Sequence, residues 1–119
     1  MPLLREETYT IEDIYALPEG ERAELIDGHV YYMAPQSRKH QDISMELSSV
    51  IKDYIRSHGG KCKVYAAPFA VHLDEKTDTY VEPDIAVICD PDKLDDKGCK
   101  GAPDWIIEIV SPGSRQMDY

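Results

Sequence analysis

Apolar positions along this chain change period several times, and each period predicts an element. Ile11, Ile14 and Leu17 fall at helical spacing behind Thr10, a good N-cap with Asp13 three residues on, and Pro18-Glu19-Gly20 ends the short helix they predict. Two β-prone runs, RAELI and HVYYM, then flank Asp27-Gly28. That dipeptide favours the two positive-φ residues of a tight hairpin turn. From Ser37, another good N-cap, the period lengthens again. Ile43, Leu47, Val50, Ile51, Tyr54 and Ile55 mark one face of a helix running to about His58, and Gly59-Gly60 stops it. Lys61 to Leu73 alternates, with Tyr65, Ala67, Phe69, Val71 and Leu73 on one side. It predicts a strand that bends or lies at an edge near Pro68, because proline cannot donate to a ladder.

Asp74 to Thr79 then closes an antiparallel hairpin into the run YVEPDIAVICD. This run and the later APDWIIEIV are continuously apolar and bounded by turn residues, so both predict strands buried on both faces. Between them, Asp90 to Lys100 reads as a charged surface loop with one helical turn. Its acids lack the spacing and terminal glutamate of an EF-hand. Ser111-Pro112-Gly113 breaks the last strand, and Ser114 N-caps a second helix of which Arg115 to Tyr119 is present. The order predicts an α+β or α/β fold, a mixed β-sheet flanked by helices, in one domain over residues 1–119. The chain reads as truncated at its C-terminus, where a covering helix begins.

Two acids stand where packing alone would not put them. Asp84 follows Pro83 at the head of Ile85-Ala86-Val87-Ile88, and Glu108 interrupts Trp105-Ile106-Ile107 and Ile109-Val110. An acid inside such a run loses hydration and needs a partner. If their strands are neighbours, a proton or a shared cation must relieve the repulsion. Magnesium suits such a pair, since it takes one or two carboxylates and keeps several waters. The plain alternative makes Asp84 a strand-end cap and leaves Glu108 facing solvent. Two more residues join the candidates. Glu24 lies three residues before the Asp27-Gly28 turn, where the alternative is a solvated residue of an edge strand. His40 lies in the first turn of the long helix, on the same stripe as Ile43 and Leu47, where most histidines are satisfied polar groups at a core edge.

Charge complicates the picture. Acids outnumber lysine and arginine 23 to 13, and the formal net charge of −10 repels nucleic acid and anionic membranes unless basic residues cluster locally or cations intervene. Three cysteines, Cys62, Cys89 and Cys99, make an odd number without CxxC spacing. They argue against a disulfide framework and for a reducing, cytoplasmic setting. No apolar run approaches the roughly 20 residues of a membrane span. The N-terminus carries no basic start followed by an apolar segment, so no signal peptide is expected.

Six segments, in order, carry a resemblance: AELIDGHVYYMAP, SRKHQDISMELSSVIKDYI, APFAVHL, VEPDIAVI, DKGCKGAPDWIIEIVSPGS and RQMDY. Together they resemble the Uma-type group of prokaryotic endonucleases within the PD-(D/E)XK restriction-endonuclease-like superfamily. The resemblance implies the superfamily's nuclease core and a Mg²⁺- or Mn²⁺-dependent endonuclease acting on DNA, with a homodimer suited to cutting both strands. By the same resemblance Asp84 and Glu108 match the metal-binding acids, Glu24 a further acid of the site, and His40 the histidine opening the long helix. The superfamily's lysine, two residues after the second acid, is replaced here by Val110. The Uma-type group supplies its lysine from the next helix, which would fall near position 122. The expectation is therefore little or no cleavage by these 119 residues. The other reading is a non-catalytic protein-interaction module with a nuclease fold. A carboxylate-pair glycosidase stands third, since nothing supplies an aromatic sugar platform.

Overall fold

The computed structural model describes residues 8–110 apart from Glu75 and Thr77. The helix expected to follow Ser114 lies outside the described residues. The chain opens with α1 (Ile11–Tyr15), where the Asp13 carboxylate accepts from the Thr10 backbone N–H at 2.8 Å. Next come β1 (Ala23–Ile26) and β2 (His29–Tyr32), paired antiparallel around Asp27 and Gly28. Both turn residues take positive φ, 53° and 82°, as the Asp-Gly pair predicts. The long helix α2 spans Arg38–Ser57, and the Ser37 hydroxyl caps it by accepting from the His40 backbone N–H at 3.1 Å.

Lys61 to Leu73 does not make one strand. It divides into β3 (Lys63–Ala66) and β4 (Val71–Asp74), which belong to different sheets, with a cis Ala67–Pro68 bond between them. The following run divides in the same way, into β5 (Thr79–Val81) and β6 (Ile85–Ile88), separated by Glu82-Pro83-Asp84. β4 pairs β5 antiparallel, as the hairpin predicts, and β3 pairs β6. A single bent hairpin therefore serves two sheets, and each of its arms changes sheet beside a proline. The Ala67 N–H donates to the Asp84 carbonyl at 2.9 Å and ties the two bends together.

The segment read as a charged surface loop also builds structure. After a 3₁₀ turn at Pro91–Lys93 come β7 (Leu94–Asp95) and β8 (Gly98–Lys100), and β8 lies parallel to β4. Gly98 and Cys99 are buried there. Gly98 has φ of +124°, and a Cβ at this position would lie 2.1 Å from the Ala70 carbonyl oxygen, so the strand closes only over glycine. Finally β9 (Trp105–Ile107) pairs β6. The larger sheet runs β2-β1-β5-β4-β8-β7 and the smaller β3-β6-β9.

Two apolar clusters fill the interior. Ile14, Ala23, Leu25 and Tyr80 form one beneath α1, and Val71, Ala86, Ile88 and Cys99 join the two sheets in the other. β6 is buried along its whole length, as its apolar run predicts. β9 is not: it lies at the edge of the smaller sheet and leaves Trp105 53% exposed, with Ile106 and Val110 also open. The α2 stripe is rotated as well. Its packed residues are His40, Ser44, Leu47, Ser48, Ile51 and Ile55, while Ile43, Val50 and Tyr54 face outward.

The structure pairs Cys62 with Cys89 in a disulfide and leaves Cys99 free and buried, which corrects the expectation drawn from the odd count. Register explains the pairing. Lys63 lies opposite Ile88, so the next residues outward, Cys62 and Cys89, face each other across the strand ends. Among the described residues, no helix is long and apolar enough to cross a membrane.

Candidate functional site at the sheet junction

Asp84 sits where the chain leaves one sheet for the other, and its neighbours follow from strand register. β9 runs antiparallel to β6 with Ile107 opposite Ile85, so the next pair outward is Glu108 and Asp84. Each carboxylate accepts from a backbone N–H of the other's segment. Asp84 N–H donates to Glu108 Oε1 at 2.9 Å, and Ile109 N–H donates to Asp84 Oδ2 at 2.7 Å. The other Asp84 oxygen, Oδ1, takes His40 Nε2 at 3.2 Å and Gln36 Nε2 at 3.3 Å. His40 reaches it from the first turn of α2, held there by the Ser37 cap. The His40 and Asp84 side chains are only 12% and 13% exposed, and His40 Nδ1 is buried without a partner.

Glu24 enters from β1. Leu25 pairs with Tyr80 of β5, which brings Glu24 alongside the end of β5, where its Oε2 accepts from the Glu82 N–H at 2.9 Å. Far from being a solvated edge residue, it lies half-buried on a strand flanked on both sides. Burial raises its pKa above the usual carboxylate range, and the nearby Glu82 and Asp84 charges add to the rise against the opposing Glu82 N–H bond. Glu108 behaves alike. The residue as a whole is exposed, but its carboxylate accepts from the Asp84 N–H, and partial desolvation raises its pKa, with the Asp84 and Glu24 charges contributing. Asp84 thus lies within electrostatic reach of both Glu24 and Glu108, with His40 on its other oxygen.

Glu82 went unmarked in the sequence reading, although it belongs to the same EPD motif. It is 7% exposed and accepts from Arg22 Nε at 2.7 Å and from the Tyr80 hydroxyl at 2.9 Å. Burial pushes the Tyr80 hydroxyl well above its ordinary pKa, and the Glu82 carboxylate adds to the shift. The Arg22–Glu82 pair braces the peptide whose N–H holds Glu24. Gln36 was also missed. A polar residue one position before a helix cap carries no signal until the helix is docked.

The donors are all hard oxygens, which suits Mg²⁺ or Mn²⁺ better than a softer metal. Their mutual repulsion is what a divalent cation would relieve. Among the described residues no three His, Cys, Asp or Glu side chains already form a ligand set, because the carboxylates are turned onto backbone N–H groups and His40.

Comparison with known proteins bears on the family and the fold. The Uma2 family, described as “Putative restriction endonuclease”, matches residues 10–119. This chain belongs to the Uma2 family. A crystal structure described as a putative nuclease belonging to DUF820, from Anabaena variabilis, matches the Uma2 chain with a TM-score of 0.69 at 25% identity. The match covers 91% of this chain and 62% of that one, so the two share a fold over this region. An uncharacterized protein of Synechocystis is 29% identical over 100 residues. That alignment takes in 84% of this Uma2 chain and 51% of the relative, so the chain spans about half the length of that curated protein.

Proposed function

We propose that this chain carries the metal-binding acids of a DNA endonuclease. The observation that supports the reading is the convergence of Glu24, Asp84 and Glu108 at the junction of the two sheets, with His40 on Asp84. Membership of a family described as putative restriction endonucleases supports the same chemistry. Asp84 and Glu108 would hold Mg²⁺ or Mn²⁺, with Glu24 as a further acid. When bound, such an ion polarises a phosphodiester and lowers the pKa of an attacking water.

The chain's own groups have separate tasks. Backbone N–H groups of Glu82, Asp84 and Ile109 fix the three carboxylates in orientation. His40 Nε2 donates to Asp84 Oδ1 and sets its rotamer. A homodimer would present two such sites to the two strands of a duplex.

Val110 stands where the superfamily places its lysine, two residues after Glu108 and just beyond the end of β9. A positioned cation there would stabilise charge gathering on the phosphate. Losing such a donor costs on the order of 10²–10³ in rate. With Mg²⁺ or Mn²⁺ the unaltered chain should nick supercoiled plasmid weakly or not at all. Val110→Lys, at a position 58% exposed and free to take a longer side chain, should raise the nicking rate at least tenfold. Plasmid left intact by Val110→Lys across metals and salt concentrations would count against the nuclease reading. It would favour a protein-interaction module, for which the open Trp105 and Ile106 on β9 speak.

A further inference from the structure

Positive charge is scarce on this chain, and three of its cations gather on one groove. A cavity of about 470 Å³ lies between the last turns of α2 and β3. Lys52, Arg56 and Lys63 line it together with Ile55, Cys62 and Tyr65, and no acidic residue lines it. All three cations are exposed. Among the described residues none of them is ion-paired, whereas Arg22 is matched by Glu82 and Lys100 by Asp95. A chain of net charge −10 thus gathers three unpaired cations at this groove.

Helix electrostatics explain only part of this. Arg56 lies in the last turn of α2, where a cation complements the helix dipole. That reason does not reach Lys63, which projects from the facing strand. A cationic rim over an apolar floor with an aromatic ring matches a sugar–phosphate strand, with phosphates on the cations and a base or sugar against Tyr65.

The groove's position also fits. Lys52 and Arg56 lie 12 and 16 residues beyond His40 on the same helix. At 1.5 Å per residue that is about 18 and 24 Å. β3 runs the same course, from Ala66 opposite Ile85, beside Asp84, out to Lys63 opposite Ile88. A duplex with one phosphate per 3.4 Å of each strand would span the interval in about five to seven steps.

We propose that this groove grips the phosphate backbone of nucleic acid on one side of the cleavage site, an inference that rests on the nuclease reading. The test is fluorescence anisotropy with a labelled DNA duplex of about 20 base pairs, in EDTA so that nothing is cut, over a series of salt concentrations. Lys52→Ala/Arg56→Ala/Lys63→Ala should bind at least tenfold more weakly. Its slope of log affinity against log salt should fall by about 2–3, near 0.9 for each lost phosphate contact. The charge-keeping triple Lys52→Arg/Arg56→Lys/Lys63→Arg should bind like the parent, and thermal melting followed by circular dichroism should show both triples folded. Unchanged affinity and slope in the alanine triple would overturn the proposal, as would a parent that binds no DNA. Displacement of the duplex by polyglutamate at equal charge would overturn it too, by assigning the groove to acidic polypeptides. Groove-dependent DNA binding without cleavage by Val110→Lys would uphold the groove while defeating the nuclease reading.

Discussion

Asp84→Asn should erase the stabilisation that divalent metal confers on this protein. The native state alone assembles Glu24, Asp84 and Glu108, so Mg²⁺ or Mn²⁺ should bind it and not the unfolded chain. At a hundred times the dissociation constant that linkage is worth about 2.7 kcal/mol. For a domain of this size it amounts to a rise on the order of 10 °C in melting temperature. The asparagine is isosteric: its oxygen can still accept from the Ile109 N–H, and its NH₂ can donate to His40 Nε2, so the fold should survive. It lacks the charge that a cation needs. Differential scanning fluorimetry with and without metal checks the expectation. An equal rise in the parent and in Asp84→Asn would place the metal elsewhere, and no rise in the parent would remove the metal from the account. The metal-free protein should already be strained in one respect. Burial and like charge raise Glu24 and Glu108, so the native state holds extra protons and loses stability as pH climbs through their raised pKa range.

Arg22→Ala should be the most damaging single change outside the apolar core. It would leave the Glu82 carboxylate, 7% exposed, with only the Tyr80 hydroxyl and no counter-charge. Breaking one side of a buried pair costs about 3–5 kcal/mol, chiefly because the remaining charge is stranded. Replacing both partners with apolar residues, Arg22→Met/Glu82→Met, should recover most of that loss, because the desolvated charge leaves too. Urea denaturation of the three variants at neutral pH decides the matter. A loss below 1 kcal/mol for Arg22→Ala would mean that water or Tyr80 satisfies Glu82 unaided. Since the Glu82 N–H holds Glu24, Arg22→Ala should also weaken metal binding.

The parts of the fold written in local rules were legible from sequence. Asp27-Gly28 forces its hairpin, and Ser37 caps α2 as its side-chain chemistry requires. What periodicity could not show is which sheet a strand joins. APF and EPD both lie inside runs that alternate or stay apolar without interruption, yet the chain changes sheet at each. Pro68 marked one bend and the break at Pro83 was not expected, and only the pairing of β3 with β6 and of β4 with β5 reveals that the two bends coincide. The same register sets Cys62 against Cys89 and Glu108 against Asp84. The acids were noticed because an acid in an apolar run must have a partner. Glu82 escaped because its partner, Arg22, is 60 residues away. β9 misled the reading in the opposite direction. An apolar run resembles a strand covered on both faces, whereas this one ends a sheet and leaves Trp105 open.

The most direct test is crystallographic: grow crystals with Mn²⁺ and map its anomalous scattering. The account predicts one strong peak at the sheet junction, about 2–2.5 Å from carboxylate oxygens of both Asp84 and Glu108, at ordinary metal–oxygen distances. The two carboxylates should have turned from the backbone N–H groups they accept from here toward the ion. A map with no peak between Asp84 and Glu108, at a manganese concentration that occupies other sites, would contradict it.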